Sequence, residues 1–276
     1  MDDIKLIVCD LDGTLLNSKK RISSYTREVL MKTKELGIHI CFASGRDEQM
    51  MAVYSRCIGG CSYMLSNNGA LVRDNKGNIQ YEAALEKQDI QQILAFLTQQ
   101  QLVFMMYTAQ TMYFSNDSEK LKKRITGYEK LSDELGYPMK LAAESIKASD
   151  IYRDFDDVAK IVVYEDSEIR MNGFLEFAGN LANVHCESTG YGLQGAFHKS
   201  VSKKTALLKI MEQLGIVENQ VCVFGDYDND LSMFECAGRR IAMGNSIQCL
   251  KDAASEITLS NDEDGVAVYL EKELNL

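Results

Sequence analysis

What the chain lacks first is an excess of positive charge. Thirty Lys and Arg stand against 40 Asp and Glu, a formal net charge of −10. Proteins that bind nucleic acid or lie on anionic membranes need the opposite balance. Neither is therefore expected as a partner, and any anion must be held by a local site. No apolar stretch approaches the ~18 residues of a membrane span. The opening "MDDIKLIVCD" is acidic and runs straight into a predicted strand, so no basic segment of a secretory signal precedes an apolar core. Repeats and low-complexity linkers are missing as well. Of the eight cysteines, Cys57 and Cys61 in "CIGGC" have no second Cys/His pair nearby to complete a zinc site. Cys9, Cys41 and Cys222 lie inside apolar runs and read as small buried thiols. The expectation is a reduced, cytoplasmic protein.

What is there is the composition of an ordinary globular chain, 46% hydrophobic and 25% charged. Its 276 residues exceed one average domain of about 150, which makes two domains the starting expectation. Strand and helix patterns alternate at both ends. Residues 4–10 read as a strand, "SSYTREVLMKTKELG" as a Ser-capped helix with a Gly stop, and "HICFAS" as the next strand, together a βαβ unit. A helix near Glu48 to Arg56, a strand at Tyr63 to Ser66 and a hairpin in "VRDNKGNIQYEA" follow. After residue 190 the theme returns: a helix from Ser202 to Leu214, strand "VCVFGD", a helix from Asn229 to Cys236, strand "RRIAMG", strand "EITLS" and a last helix from about Glu263. The middle is different, an α+β pattern with the helices "KQDIQQILAFLTQQ" and "SEKLKKRITGYEKLSDELG" and the strands "LVFMMYT", "TMYFSND", "KIVVYE" and "NVHCES". The fold expected is α/β, a doubly wound, mainly parallel Rossmann-like core sheet from residues 1–85 and 191–276. Residues 86–190 form an inserted α+β cap.

The chemistry gathers at strand ends. "IVCDLDGTLL" closes an apolar run with Asp10 and Asp12, and ligands in open α/β sheets bind beyond the carboxyl ends of strands. Ser44, Gly45 and Arg46 in "FASGR" and Asp226, Asn229 and Asp230 in "VFGDYDNDLSMF" also follow apolar strands, while Lys203 lies in "SVSKKTAL". If those strands are parallel neighbours, carboxylates from two of them converge on one hard cation. Acidic oxygens with retained waters and a phosphate ligand suit Mg²⁺. An aspartate can form an aspartyl phosphate, and a second acid two residues on lies on the same side of an extended segment, placed to act as acid and base.

These four strings in this order resemble the haloacid dehalogenase superfamily, in particular its Cof-type (subclass IIB) phosphatases with a C2-type cap. "DLDGT" is similar to the first motif of that family, "ASGR" to the second with Ser44 where threonine is more usual, Lys203 to the third and "GDYDND" to the fourth. The resemblance implies that Asp10 is the nucleophile and a Mg²⁺ ligand. It implies that Asp12 is the acid/base and binds metal through its backbone carbonyl, and that Asp226 and Asp230 complete the metal set, Asp230 by orienting metal-bound waters. Ser44, the Gly45 amide, Lys203 and Asn229 would hold the phosphoryl oxygens. The expected substrate is a small phosphorylated metabolite such as a sugar phosphate. The rival functions are a phosphomutase of the same superfamily, which a second phosphate clamp of arginines in the cap would favour although Arg124, Arg153 and Arg170 are scattered over different predicted elements, and a non-catalytic phosphometabolite-binding protein, which loss of a motif residue would favour although none is lost.

Other residues read as structural. Arg46 suits an ion pair with an acidic neighbour, Asn67, Asn68 and Gly69 a tight turn near the site, and His39 and His185 strand positions. His198 reads as a loop residue before Lys203. Lys204 stands where the family often has glycine.

Overall fold

The computed structural model describes residues 3–115, 118–189 and 193–276. In chain order it contains β1 (Leu6–Cys9), α1 (Ser24–Glu35), β2 (His39–Ala43), α2 (Glu48–Cys57), β3 (Tyr63–Ser66), β4 (Leu71–Asp74) and β5 (Ile79–Glu82). Next come α3 (Lys87–Gln99), β6 (Val103–Thr108), β7 (Met112–Ser115), α4 (Glu119–Glu134), β8 (Ala143–Ile146), β9 (Val158–Tyr164), α5 (Glu168–Gly179), β10 (Val184–Ser188) and β11 (Gln194–His198). The chain ends with α6 (Lys203–Leu214), β12 (Val221–Gly225), α7 (Leu231–Phe234), β13 (Arg239–Ala242), α8 (Gln248–Ala253), β14 (Glu256–Ile257) and α9 (Gly265–Leu274).

Two units result, Met1–Tyr81 with Ser202–Leu276, and Glu82–Val201. The first carries an eight-stranded sheet in the order β14-β13-β12-β1-β2-β3-β4-β5. From β14 to β3 the pairs are parallel, and β4 folds back antiparallel on β3. All four residues of β1, "LIVC", are buried, as a strand covered on both faces must be. Leu6 and Val8 face one way, against Ala206, Leu207 and Ile210 of α6. On the other face, Phe224 meets the ring of Tyr269 from α9 edge-on at 5.5 Å. Helices on both faces make this the doubly wound, Rossmann-like fold. The strand order reverses at β1, the place where such sheets open a crevice.

The second unit has a six-stranded sheet, β10-β11-β9-β6-β7-β8, antiparallel except for the β7–β8 pair. Phe104, Met106, Ile161 and Val163 of this sheet form a core with Ile93 of α3 and Phe174 of α5. It is an α+β unit with its own apolar centre.

The boundaries differ from those expected. Strand β11, which the sequence places in the other domain, pairs with β9 and β10 and so belongs to the second unit. Gly195 disguises it, because glycine weakens a strand interior; here a Cβ at Gly195 would lie 2.7 Å from the ring of Phe197. The expected junction at Gly190, like Asn116 and Asp117 of the strand "TMYFSND", lies outside the described residues. The helix expected from Asn229 to Cys236 is a 3-10 turn at Asp228–Asp230 followed by the single turn of α7. His198 ends β11 rather than lying in a loop, with its Nδ1 2.7 Å from Ser200 Oγ.

Candidate active site

Register brings the motif residues to one level. Cys9, the last residue of β1, lies opposite Phe224 of β12 and Phe42 of β2. Asp10 follows it, its N–H still donating to Phe224 O at 3.1 Å. Parallel pairing therefore puts Asp10 beside the ends of β12 and β2, from which Asp226 and Ser44 emerge. The chain after Asp10 turns tightly, with Leu15 N donating to Asp10 O and Leu16 N to Leu11 O. Gly13 sits at φ 85°, and a Cβ there would fall 2.2 Å from Asp226 Oδ2. Only glycine lets the Asp226 carboxylate rest against this turn.

Lys203 is the centre of the charged cluster. Ser202 caps α6 by accepting from Thr205 N, which makes Lys203 the first helical residue. Its Nζ donates to Asp10 Oδ1 at 2.7 Å and to Asp230 Oδ1 at 2.6 Å, with the ammonium fully buried. Asp230 Oδ2 accepts from the N–H groups of Asp226 and Tyr227, which ties the β12 end loop into shape. Thr14 Oγ1 donates to Asp226 Oδ1 at 2.9 Å.

Oxygens of Asp10, Asp226 and Asp230 lie within 4.8 Å of one another. Burial pushes the Asp10 carboxyl well above its usual range against the pull of Lys203, with Asp230 and Asp226 adding to the rise. Burial and then the Asp230 charge raise Asp226 to about 7, although the Thr14 hydrogen bond and Lys203 oppose it. Burial works against the Lys203 charge, but Asp10 and Asp230 outweigh it and its pKa is raised. Once ionised, the three carboxylates outnumber this ammonium by two negative charges, the charge and oxygen donors that suit a divalent hard cation. The residues present therefore fit Mg²⁺.

Asp12 points elsewhere. Arg46 donates to both of its oxygens, Nε to Oδ2 at 2.5 Å and Nη2 to Oδ1 at 2.7 Å, and Lys20 Nζ donates to Oδ1 at 2.7 Å. Burial alone would raise the Asp12 pKa, but the Arg46 and Lys20 contacts win and hold it at about 2. Tyr54 braces this clamp, its hydroxyl accepting from Arg46 Nη1 and donating to Lys20 O, each at 3.2 Å. The carboxylate is set as an anion, the form that accepts a proton.

Gly45 and Asn229 come together at Asn68, whose N–H donates to Ser44 O. Ser44 is buried, and its Oγ accepts from Arg46 N at 3.2 Å. Asn229 Nδ2 donates to Asn68 Oδ1 at 3.2 Å, and the same Asn68 oxygen lies 2.9 Å from where a Cβ of Gly45 would stand. The structure thus brings Asp10, Asp226, Asp230 and Lys203 together, joins Gly45 and Asn229 through Asn68, and turns the Asp12 carboxylate toward Arg46 and Lys20.

Sequence reasoning missed Thr14, Lys20, Tyr54 and the reach of Asn68. A hydroxyl four residues past Asp10 was a visible signal for Thr14; nothing local marks Lys20 or Tyr54. Lys204 needs no glycine in its place, since it stands in the first turn of α6 and pairs with Glu235 at 2.7 Å. In the second unit, Arg153 pairs with Glu144 and Arg170 with Glu165. Arg124 lies over the rings of Tyr128 and Tyr164.

The model of the haloacid dehalogenase-like hydrolases matches residues 7–270. Phosphatase YwpJ of Bacillus subtilis is 28% identical, over 96% of this chain and 98% of its own. The 5-amino-6-(5-phospho-D-ribitylamino)uracil phosphatase YcsE of the same organism is 28% identical, over 96% and 94%. Among solved structures, a haloacid dehalogenase-like hydrolase from Bacteroides thetaiotaomicron superposes with a TM-score of 0.84 at 28% identity, over 98% of this chain and 99% of the other.

Proposed function

The chain belongs to the haloacid dehalogenase-like hydrolase family, as a phosphoric monoester hydrolase of the Cof type, and from that premise we propose that it is a cytoplasmic, Mg²⁺-dependent phosphatase of small phosphorylated metabolites working through an aspartyl phosphate on Asp10. The observation that carries this reading is Asp10 at the end of β1, bonded to the buried Lys203 ammonium among clustered carboxylates. Relatives named as phosphatases, one of them for a phosphoribitylamino compound, support a small metabolite as substrate.

In this mechanism a carboxylate oxygen of Asp10 attacks phosphorus, the ester P–O bond breaks, and the leaving alkoxide takes a proton from Asp12, which has to enter this step as the carboxylic acid, released from the Arg46–Lys20 clamp that holds it as an anion here. Asp12 then takes a proton from water, which attacks the phosphorus of the acyl phosphate and returns Asp10 as carboxylate with inorganic phosphate. Microscopic economy asks one residue to be acid and then base, and the Arg46–Lys20 clamp favours the basic form. Lys203, the Ser44 hydroxyl, the Gly45 amide and Asn229 hold phosphoryl oxygens, where fixed donors in a water-poor site stabilise charge strongly. Asp10, Asp226, the Asp12 backbone carbonyl and Asp230 would hold Mg²⁺, which supplies further neutralisation of the phosphoryl charge.

The test is hydrolysis of a generic aryl phosphate and a panel of phosphorylated metabolites, with Mg²⁺ and after exhaustive chelation. Turnover is expected only with Mg²⁺ or a close substitute. Full activity after chelation overturns the metal-dependent reading.

A further inference from the structure

The turn Asn67–Gly69 is more than a connection. Asn67, Asn68 and Gly69 all lie in the left-handed region, at φ 51°, 56° and 99°. Glycine adopts it freely and asparagine less so, and a run of such residues persists where surroundings over-determine it. Here the surroundings are the expected phosphate-holding loops. Asn68 N donates to Ser44 O at 3.0 Å and Asn67 N to Arg46 O at 2.8 Å. On the other side, a Cβ on Gly69 would lie 2.3 Å from Ser202 O, one residue before Lys203.

A turn of this kind needs only its backbone, yet the Asn68 side chain is 1% exposed and divided in its use. Its Oδ1 accepts from Asn229 Nδ2, while its Nδ2 is buried with no hydrogen-bond partner. The same Nδ2 lies 3.7 Å from where a Cβ of Gly45 would stand. An orphaned buried donor is costly and rare, and calls for a partner that arrives later. Between Gly45 and Asn229, that partner is an anionic oxygen.

We infer that Asn68 is a phosphoryl-binding residue, donating from Nδ2 to an oxygen of the substrate phosphate while its Oδ1 orients Asn229. This rests on the phosphatase reading above and adds to it a donor from outside the four motifs. Asn67 is the internal control: it shares the turn and the backbone conformation, but its orphaned atom is the acceptor Oδ1, which has nothing to offer an anion.

The test uses the Mg²⁺-loaded full chain with inorganic phosphate and orthovanadate as probes, their affinities measured by calorimetry and by competitive inhibition of aryl phosphate hydrolysis. Asn68→Gly, which tolerates the left-handed backbone, is expected to weaken both probes by about tenfold or more, the scale of a lost hydrogen bond to a charged group. Asn68→Asp keeps the acceptor for Asn229 and the shape but removes the donor, and is expected to weaken them as well. Asn67→Gly is expected to change them less than about twofold. Unaltered phosphate and vanadate affinity in Asn68→Gly or Asn68→Asp, or an equal loss in Asn67→Gly, overturns the assignment. Hydrolysis by the unaltered protein reports on the phosphatase reading separately, whereas the ratio of probe affinities between variant and unaltered protein reports on Asn68.

Discussion

Lys203 Nζ lies 2.7 Å from Asp10 Oδ1, a contact between residues 193 positions apart in which the ammonium is fully buried. Lys203→Met removes the charge and keeps the stem, leaving Asp10 and Asp230 facing one another. Breaking a buried pair from one side costs about 3–5 kcal/mol. We expect a urea midpoint lowered accordingly without Mg²⁺, and turnover lowered at least ~10²-fold, as for a lost electrostatic donor. A variant that matches the unaltered protein in both measurements contradicts this account of the site.

The clustered carboxylates make metal binding depend on pH. Asp226 has a folded pKa raised to about 7, from burial first and Asp230 second, against about 3.9 when unfolded. The metal-free folded chain therefore keeps a proton that the unfolded chain has lost, and this group's contribution to stability falls as pH rises from about 4 to about 7. Cation binding needs the carboxylate, so the rise in Tm on adding Mg²⁺ should be larger at about pH 8 than at about pH 5. Equal Mg²⁺-induced shifts at the two pH values would contradict the raised Asp226.

Asp12 gives the opposite sign. Burial would raise its pKa, yet Arg46 and Lys20 depress it to about 2. Its contribution to stability is full above about pH 4 and is lost as pH falls toward 2. Arg46→Met should therefore be less stable than the unaltered protein near neutrality, by an amount that shrinks on acidification. Urea unfolding at several acid pH values measures it, and a difference that stays constant or grows in acid rejects the clamp as its source.

The roles of the two aspartates separate kinetically. Asp10→Asn should abolish turnover and leave no covalent phosphate by mass spectrometry after acid quench. Asp12→Asn should slow turnover by roughly 10²–10⁴, the range for a general acid/base. Near-native turnover in Asp10→Asn would refute the aspartyl phosphate.

How much of this was legible depended on distance along the chain. The run "LIVC" announces a strand buried on both faces, and its end announces Asp10, because strand patterning is local and the crevice follows from parallel order. The same holds for the ends of β2 and β12. Strand β11 was hidden since its pairing with β9 and β10 is tertiary and Gly195 argues locally against a strand. Lys20 was hidden for a similar reason: a lysine in a polar loop looks solvated until the fold closes it on Asp12. The Asn68 amide could be recognised only once burial showed that one of its atoms has a partner and the other has none.

The last prediction is that Glu82–Val201 decides which phosphate ester is accepted, while the first unit decides that phosphate is removed. Asp10, Asp12, Ser44, Gly45, Lys203, Asn229, Asp226 and Asp230 all lie in the first unit. The second has a separate apolar centre built on Phe104, Ile161 and Phe174, so exchanging it leaves the packing behind the catalytic strands intact. Binding energy from the non-reacting part of a substrate is what distinguishes one ester from another, and an inserted domain can vary without disturbing the phosphoryl-holding groups. A chimera carrying the corresponding unit of a relative with different preference should rank sugar phosphates, nucleotides and cofactor phosphates as that relative does, while keeping Mg²⁺ dependence and the need for Asp10. The junctions matter: exchange at Tyr81/Glu82 and Val201/Ser202 should fold, whereas exchange of 86–190 strands β11 without the β9 and β10 it pairs with and should fold poorly. A well-folded chimera that keeps the parental ranking would show that loops of the first unit set the choice instead.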